Sequence, residues 1–327
     1  MVQSALAVND FKPVLSRSGD GGISWQEQGM IWPHLQNTYS IFGSVSASPT
    51  GELFFFGSRT PIDQPGETFW SEATQGLKSN ELIWATSVDH GATWTEPAFI
   101  PMPIPGSAEA PGPMCITRAG HFVCCYSPYN TFDPKVQVEH NQVVCLSSRD
   151  RGKTWAHTAM LRFPDKDSQG AEAWVVELAD GRLLGAAWHS NPVLGPSLPN
   201  VYALSCDGGL TWSPTYSTGI VGQSCSLAAL GDGRALFAYN QRQQGEVGVW
   251  LAVARPTEGT FGIEANAIIW RAEMASESTA SSEFKDWTGF SFGEPSITVL
   301  PDGGVLATLW CVQNGVAAIR YVRLTIV

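Results

Sequence analysis

Apolar residues in this chain come in short runs that alternate with polar ones, and one paired pattern returns five times. The pairs are SVSASPTGELFFFGS (44–58), PMCITRAGHFVCCYS (113–127), WVVELADGRLLGAAW (174–188), SLAALGDGRALFAYN (226–240) and SITVLPDGGVLATLW (296–310). Each joins two strand-like runs through a turn carrying Gly, usually Asp-Gly, which is a hairpin signal. A third run follows in ELIWATS, QVVCLSS and VYALS, and a fourth in AFIPM or AMLRF. The repeating unit is therefore four short antiparallel strands. Helical periodicity is nearly absent; residues 272–285 (AEMASESTASSEFK) read as a short helix or a plain loop.

Between the third and fourth runs stands a second repeat. SGDGGISW (18–25), SVDHGATW (87–94), SRDRGKTW (148–155) and SCDGGLTW (205–212) all fit S-x-D-x-G-x-[ST]-W. Four copies point to structure, because a catalytic constellation occurs once in a chain. The Asp can accept hydrogen bonds from its own turn, the Gly can take positive φ, and the Trp buries a large ring as the next strand begins. His90 occurs in one copy only and reads as an exposed turn residue.

Short apolar strands need cover on both faces, and sheets stacked face to face supply it. The expectation is an all-β, single-domain β-propeller over 1–327, made of four-stranded antiparallel blades. A six-bladed plan with an incomplete first blade is favoured. The alternative is five blades, with the N-terminal segment completing the C-terminal sheet. Turns within the hairpins and the boxes fall on one rim and the long connections on the other, where a site is expected over the central channel.

That rim would present the residues flanking the two inner strands of each blade. Before the first strands stand Tyr39, Glu109, Glu172, Gln223 and Glu294; after the second stand Arg59, Tyr129, His189, Arg242 and Gln313, with Trp188 and Trp310 closing two of them. Three glutamates at matching places would converge. Converging carboxylates suit acid–base work on a glycosidic bond, since repulsion and burial keep one of them protonated near neutrality. Equally, each could cap a loop. Trp188 and Trp310 could face a sugar ring or pack between blades. Arg59 could pair with an acidic sugar or with a loop acid such as Asp63, and His189 could shuttle protons or serve only as a loop residue.

Composition narrows the classes. The formal charge of −11 excludes the basic face that nucleic acid or anionic membrane requires, and no run of 18 apolar residues exists to span a bilayer. The seven cysteines are an odd number with no C-x-x-C spacing, so zinc is not expected and no cofactor is implied. Their placement in apolar runs, and a start without a basic n-region, lead to the expectation of a reduced, cytoplasmic chain.

The four boxes resemble the Asp-boxes, or BNR repeats, of the sialidase superfamily, over nearly the whole chain. AEAWVVELADGRLLGAAW (171–188) is similar to a fourth-blade sialidase segment whose glutamate polarises a tyrosine nucleophile. The resemblance puts Glu172 in that glutamate's place and Trp188 where an arginine stands. FGEPSITVLPDG (292–303) puts Glu294 where the tyrosine would be. The Arg-Ile-Pro motif is absent. The resemblance thus implies the propeller and a carbohydrate substrate other than ordinary sialic acid.

Three functions compete. The first is a glycoside hydrolase led by Glu172 and Glu294, with Glu109 third. The second is a polysaccharide lyase using Tyr129 or His189 as base and Arg59 or Arg242 against a uronate. The third is a non-catalytic carbohydrate- or protein-binding propeller. Tyr39, Gln223, Trp188 and Trp310 are further candidates for contact with substrate. Oligomeric state is not encoded in these patterns.

Overall fold

All five hairpin signals become antiparallel sheets in the computed structural model, which describes residues 1–191, 198–242, 245–272 and 290–326. The 272–285 segment falls almost wholly outside those residues. An N-terminal hairpin pairs β1 (Val14–Arg17) with β2 (Gln26–Met30). The first blade orders β3 (Tyr39–Ala47), β4 (Leu53–Pro61), β7 (Glu81–Ser87) and β8 (Ala98–Ile100); the small pair β5 (Trp70–Ser71) and β6 (Gly76–Leu77) branches from it. The second joins β10 (Cys115–Ile116), β11 (Phe122–Tyr129), β12 (Gln142–Ser148) and β13 (Ala156–Arg162), with β9 (Ser107–Glu109) also on β11. The third holds β14 (Gln169–Glu177), β15 (Leu183–Ser190), β16 (Val201–Ser205) and β17 (Tyr216–Ser217). The fourth holds β18 (Gln223–Ala229), β19 (Ala235–Gln241), β20 (Gly248–Ala254) and β21 (Ile263–Arg271). The fifth has three strands, β22 (Phe292–Val299), β23 (Gly304–Gln313) and β24 (Val316–Thr325).

Among the described residues the count is five blades, the alternative number rather than the favoured six. The N-terminal segment does not complete the C-terminal sheet: β1 and β2 pair with each other, around the first box. The hairpin turns share one chemistry. Gly51, Gly120, Gly181, Gly233 and Gly303 hold φ between 78° and 90°, a region closed to most side chains.

Contacts divide the chain into two units, residues 1–160 with 208–210, and residues 161–207 with 211–327. In the first, Phe54, Phe56 and Leu82 pack on Phe122, Cys124 and Tyr126, while Phe55 points the other way onto Trp32, at 5.0 Å between rings. This period of two turns the run Phe54–Phe56 into two cores. In the second, β19 is buried on both faces. Phe237 and Tyr239 join Trp174, Leu184 and Tyr202 on one side; Leu236 and Ala238 join Ile297, Val305 and Ala307 on the other. Each such side chain contributes roughly 1.5–3 kcal/mol by leaving water.

The boxes are turns. In all four the Ser hydroxyl donates to the Asp at 2.8–2.9 Å, and the following Ser or Thr gives its N–H and hydroxyl to the same carboxylate. These bonds hold the carboxylates of Asp89 and Asp150 down to about 2, the Thr hydroxyls acting most strongly. His90 and Arg151 take φ of 60° beside their box glycines. In the third blade the box begins at Ser205, opposite Leu183, while Ala171 and Trp188 pair at the far end of the sheet. Asp150→Ala should lower the melting temperature by several degrees at pH 7, as thermal melts will show. Because the native pKa is depressed, this stabilisation is present above the unfolded value of about 4 and lost as pH falls through about 2.

Candidate active site

Three neighbouring blades begin in the same strained way. Glu172 on β14, Ser224 on β18 and Glu294 on β22 have φ of 50°, 27° and 46°. Each sits where the pairing with the next strand slips, between Ala171 and Trp174, Gln223 and Cys225, and Gly293 and Ser296. A bulge of this kind re-aims a side chain out of the alternating pattern, and left-handed non-glycine residues persist only where the surroundings over-determine them. All three lie six residues before the turn leucines Leu178, Leu230 and Leu300.

The bulges gather a small set of polar groups. Ser224 donates its hydroxyl to the Glu172 carboxylate, which also lies within electrostatic reach of Glu294 and Arg242. Arg242 is 6% exposed. Its Nη1 donates to Gln223 Oε1 at 2.7 Å and its Nη2 to the Phe292 carbonyl; its guanidinium carbon stands 3.8 Å from the Phe290 ring centre and 4.9 Å from that of Phe292. Burial, then repulsion from Glu294, pushes the half-buried Glu172 carboxyl up to about 7. Burial also raises Glu294, and Arg242 pulls it back. Glu294 is exposed to solvent. Burial lowers Arg242 to about 10, which leaves it cationic at neutral pH.

The chain's family is settled by sequence. The model for the BNR repeat-like domain matches residues 44–287, about three quarters of the chain. The chain belongs to the BNR repeat-like domain family. No curated protein sequence matches it. Among solved structures it is similar to a protein of unknown function from Dyadobacter fermentans, at 19% identity and a TM-score of 0.71, covering 96% of this chain and 84% of that one. It is also similar to the NanB sialidase of Streptococcus pneumoniae, at 15% identity and 0.61, covering 95% and 63%. The intramolecular trans-sialidase of Ruminococcus gnavus gives 14% and 0.60, covering 96% and 87%. The chain spans just under two thirds of NanB. At these identities the likeness establishes the sialidase-like β-propeller fold.

Within this BNR propeller the other candidates have definite places. Trp188 is buried opposite Ala171, and Trp310 is half-buried opposite Gly293. A Cβ on Gly293 would lie 2.9 Å from Trp310 Nε1 and 3.0 Å from Arg242 Nη2. Gly293→Ala should therefore displace the indole or the guanidinium, costing about 1–3 kcal/mol. Thermal melts of the variant beside the wild type check it.

His189 shares a hydrogen bond of 3.1 Å with Ser168 and stacks on Phe163 at 4.7 Å. Burial lowers its pKa, with Asp165 opposing. It lines an open groove of 730 Å³ with Phe163, Pro164, Leu198, Pro199 and Tyr216.

Four candidates lie in the first unit. Arg59 is held at 3.0 Å by Glu81 and covers the rings of Tyr39 and Phe99 at 4.4 and 4.3 Å, while Asp63 pairs instead with Lys78. Tyr129 is buried edge-on to Trp70. Glu109 ends β9 opposite Ser127. The six-residue place of its blade, counted from Thr117, is held by Pro111.

Sequence reasoning named Gln223 and passed over Ser224, Phe290 and Phe292. Counting back from each turn leucine would have found Ser224. Among the described residues no group of three His, Cys, Asp or Glu side chains is placed to hold a metal ion, and no helix is long and apolar enough to cross a membrane.

Proposed function

We propose that the chain is a glycoside hydrolase in which Glu172 is the general acid and Glu294 the base or nucleophile. One observation carries this reading: two glutamates, re-aimed by matching bulges, share one buried arginine, and Glu172 is pushed up to about 7. An acid with that pKa is protonated in the resting enzyme and can release its proton near neutrality. Glu172 gives its proton to the glycosidic oxygen as the bond to the anomeric carbon breaks. Glu294, ionised and facing solvent, stabilises the positive charge developing on the sugar, by attacking it or by taking a proton from the incoming water. Arg242 stabilises the carboxylates as they ionise. The sialidase-like fold and the sialidases among the similar structures support a carbohydrate ligand.

The test is a panel of aryl glycosides assayed across pH. Turnover should follow a bell, falling above about pH 7 as Glu172 ionises and falling in acid as Glu294 is protonated. Glu294→Gln should lower turnover by roughly 100-fold or more and erase the acid limb. Binding without turnover throughout the panel would point to a carbohydrate-binding propeller, and an ultraviolet-absorbing unsaturated product to a lyase.

A further inference from the structure

We infer that the start of β18 is the positioning element of the site, with Ser224 and Cys225 gripping Glu172 at its carboxylate and at its backbone; the inference rests on the glycosidase reading of Glu172. Three consecutive side chains each take one part of the constellation. Gln223 Oε1 accepts from Arg242 Nη1 at 2.7 Å. The Ser224 hydroxyl donates to the Glu172 carboxylate. The Cys225 thiol donates to the Glu172 backbone carbonyl, with Sγ 3.7 Å from the oxygen. An acid and its counter-cation are thus both held from one short stretch of backbone.

The bulge makes this possible. In a regular strand neighbouring side chains point to opposite faces. Here Gln223 pairs with Asn240 and Cys225 with Tyr239, which leaves Ser224 outside the ladder at φ of 27°. Ser224 and Cys225 are both buried, and Cys225 packs in the core with Trp174 and Tyr239, so the grip is rigid. A left-handed glutamate persists only where its surroundings over-determine it; one bond on its carbonyl and one on its carboxylate do so for Glu172. The charged groups facing that carboxylate are Glu294 of β22 and Arg242 beyond β19. Burial, then Glu294, raise its pKa, and Ser224 opposes them more strongly than Arg242 does. The hydroxyl is therefore the stronger partner of the ionised form, and it sets the pH at which Glu172 releases its proton.

The experiment is a carbon-13 NMR titration of the glutamate carboxyls in the full chain, with the Glu172 signal identified by its loss in Glu172→Gln. Ser224→Ala should raise the midpoint from about 7 by roughly one pH unit, because a hydrogen bond to the ionised form is gone. On an aryl glycoside that the wild type turns over, the basic limb should move up equally. There kcat should fall roughly tenfold with KM little changed, since the hydroxyl holds the acid and not the substrate. Cys225→Ala should lower kcat and leave the midpoint in place, since the thiol holds backbone; Cys225→Ser, which returns a donor, should recover most of the loss. Ser224→Gly accepts positive φ without strain and repeats the first test should the alanine variant not fold. An unmoved midpoint in the Ser224 variants overturns the inference. So does a lowered melting temperature with kcat and the basic limb both unchanged. If the midpoint moves while no aryl glycoside is turned over, the hydrolase reading falls and the grip on Glu172 stands.

Discussion

Glu172→Gln should lower kcat by 10²- to 10⁴-fold, the usual loss when a positioned acid is replaced by its amide, and should make the protein more stable at pH 8. The two effects share one cause. Glu172 is held up to about 7 by burial and by Glu294, against an unfolded value of about 4.3. A group whose folded pKa is raised gives its full stability below the unfolded value and loses it as pH rises through the folded one. The wild type should therefore weaken between about pH 4.3 and 7, by an amount on the order of 3 kcal/mol. The amide, which does not ionise, escapes that loss. Urea unfolding of both proteins at pH 4 and pH 8 tests it: the curves should nearly coincide in acid and separate in base, with the variant ahead. Equal stability at pH 8 would show that Glu172 is not ionised against resistance, and the assigned acid role would go with it.

Arg242→Met should produce the opposite dependence in a larger structural defect. Its guanidinium is the buried positive charge within reach of both glutamates, and it also satisfies Gln223 and the Phe292 carbonyl. Losing it leaves the Gln223 oxygen and the Phe292 carbonyl without their donor, and each buried polar group so orphaned costs about 1–3 kcal/mol. Without the arginine both carboxylates rise further, so the variant keeps more of its stability in acid and loses it as pH climbs through neutrality. Thermal melts at pH 5 and 8 should show a deficit much greater at pH 8. A deficit equal at both values would mean that Arg242 acts by packing on Phe290 and Phe292 rather than as a counter-charge. Turnover should fall together with stability at pH 8, since Glu294 could then no longer hold the charge its proposed role needs.

The hairpins and boxes were legible because their information is local. A turn glycine must reach positive φ whatever surrounds it, and Gly51, Gly120, Gly181, Gly233 and Gly303 all do. A box aspartate finds its donors within four residues, as Asp150 finds Ser148 and Thr154. The blade number was not local. Whether residues 1–30 make a blade, complete another sheet or pair with themselves depends on partners far along the chain, and β1 closed on β2.

Glu172 and Glu294 could be named from their places before inner strands. The third member of that series could not be read from residue type. Serine is an unremarkable strand residue, and Gln223 beside it looked chemically richer; the bulge gives the re-aimed position to Ser224. The role of Arg242 was likewise hidden, since an arginine at a strand end looks free to meet a ligand until its fork is seen spent on Gln223 and Phe292.

The sequence by itself thus determined the strands, their turns and the identity of two carboxylates, because period, glycine and Asp-box chemistry act over a few residues. Tertiary structure alone decided that those carboxylates share one arginine, that Ser224 touches one of them, and that Glu172 is pushed up to about 7. Those properties arise from burial and from charges brought together across three blades, distances that no local pattern encodes.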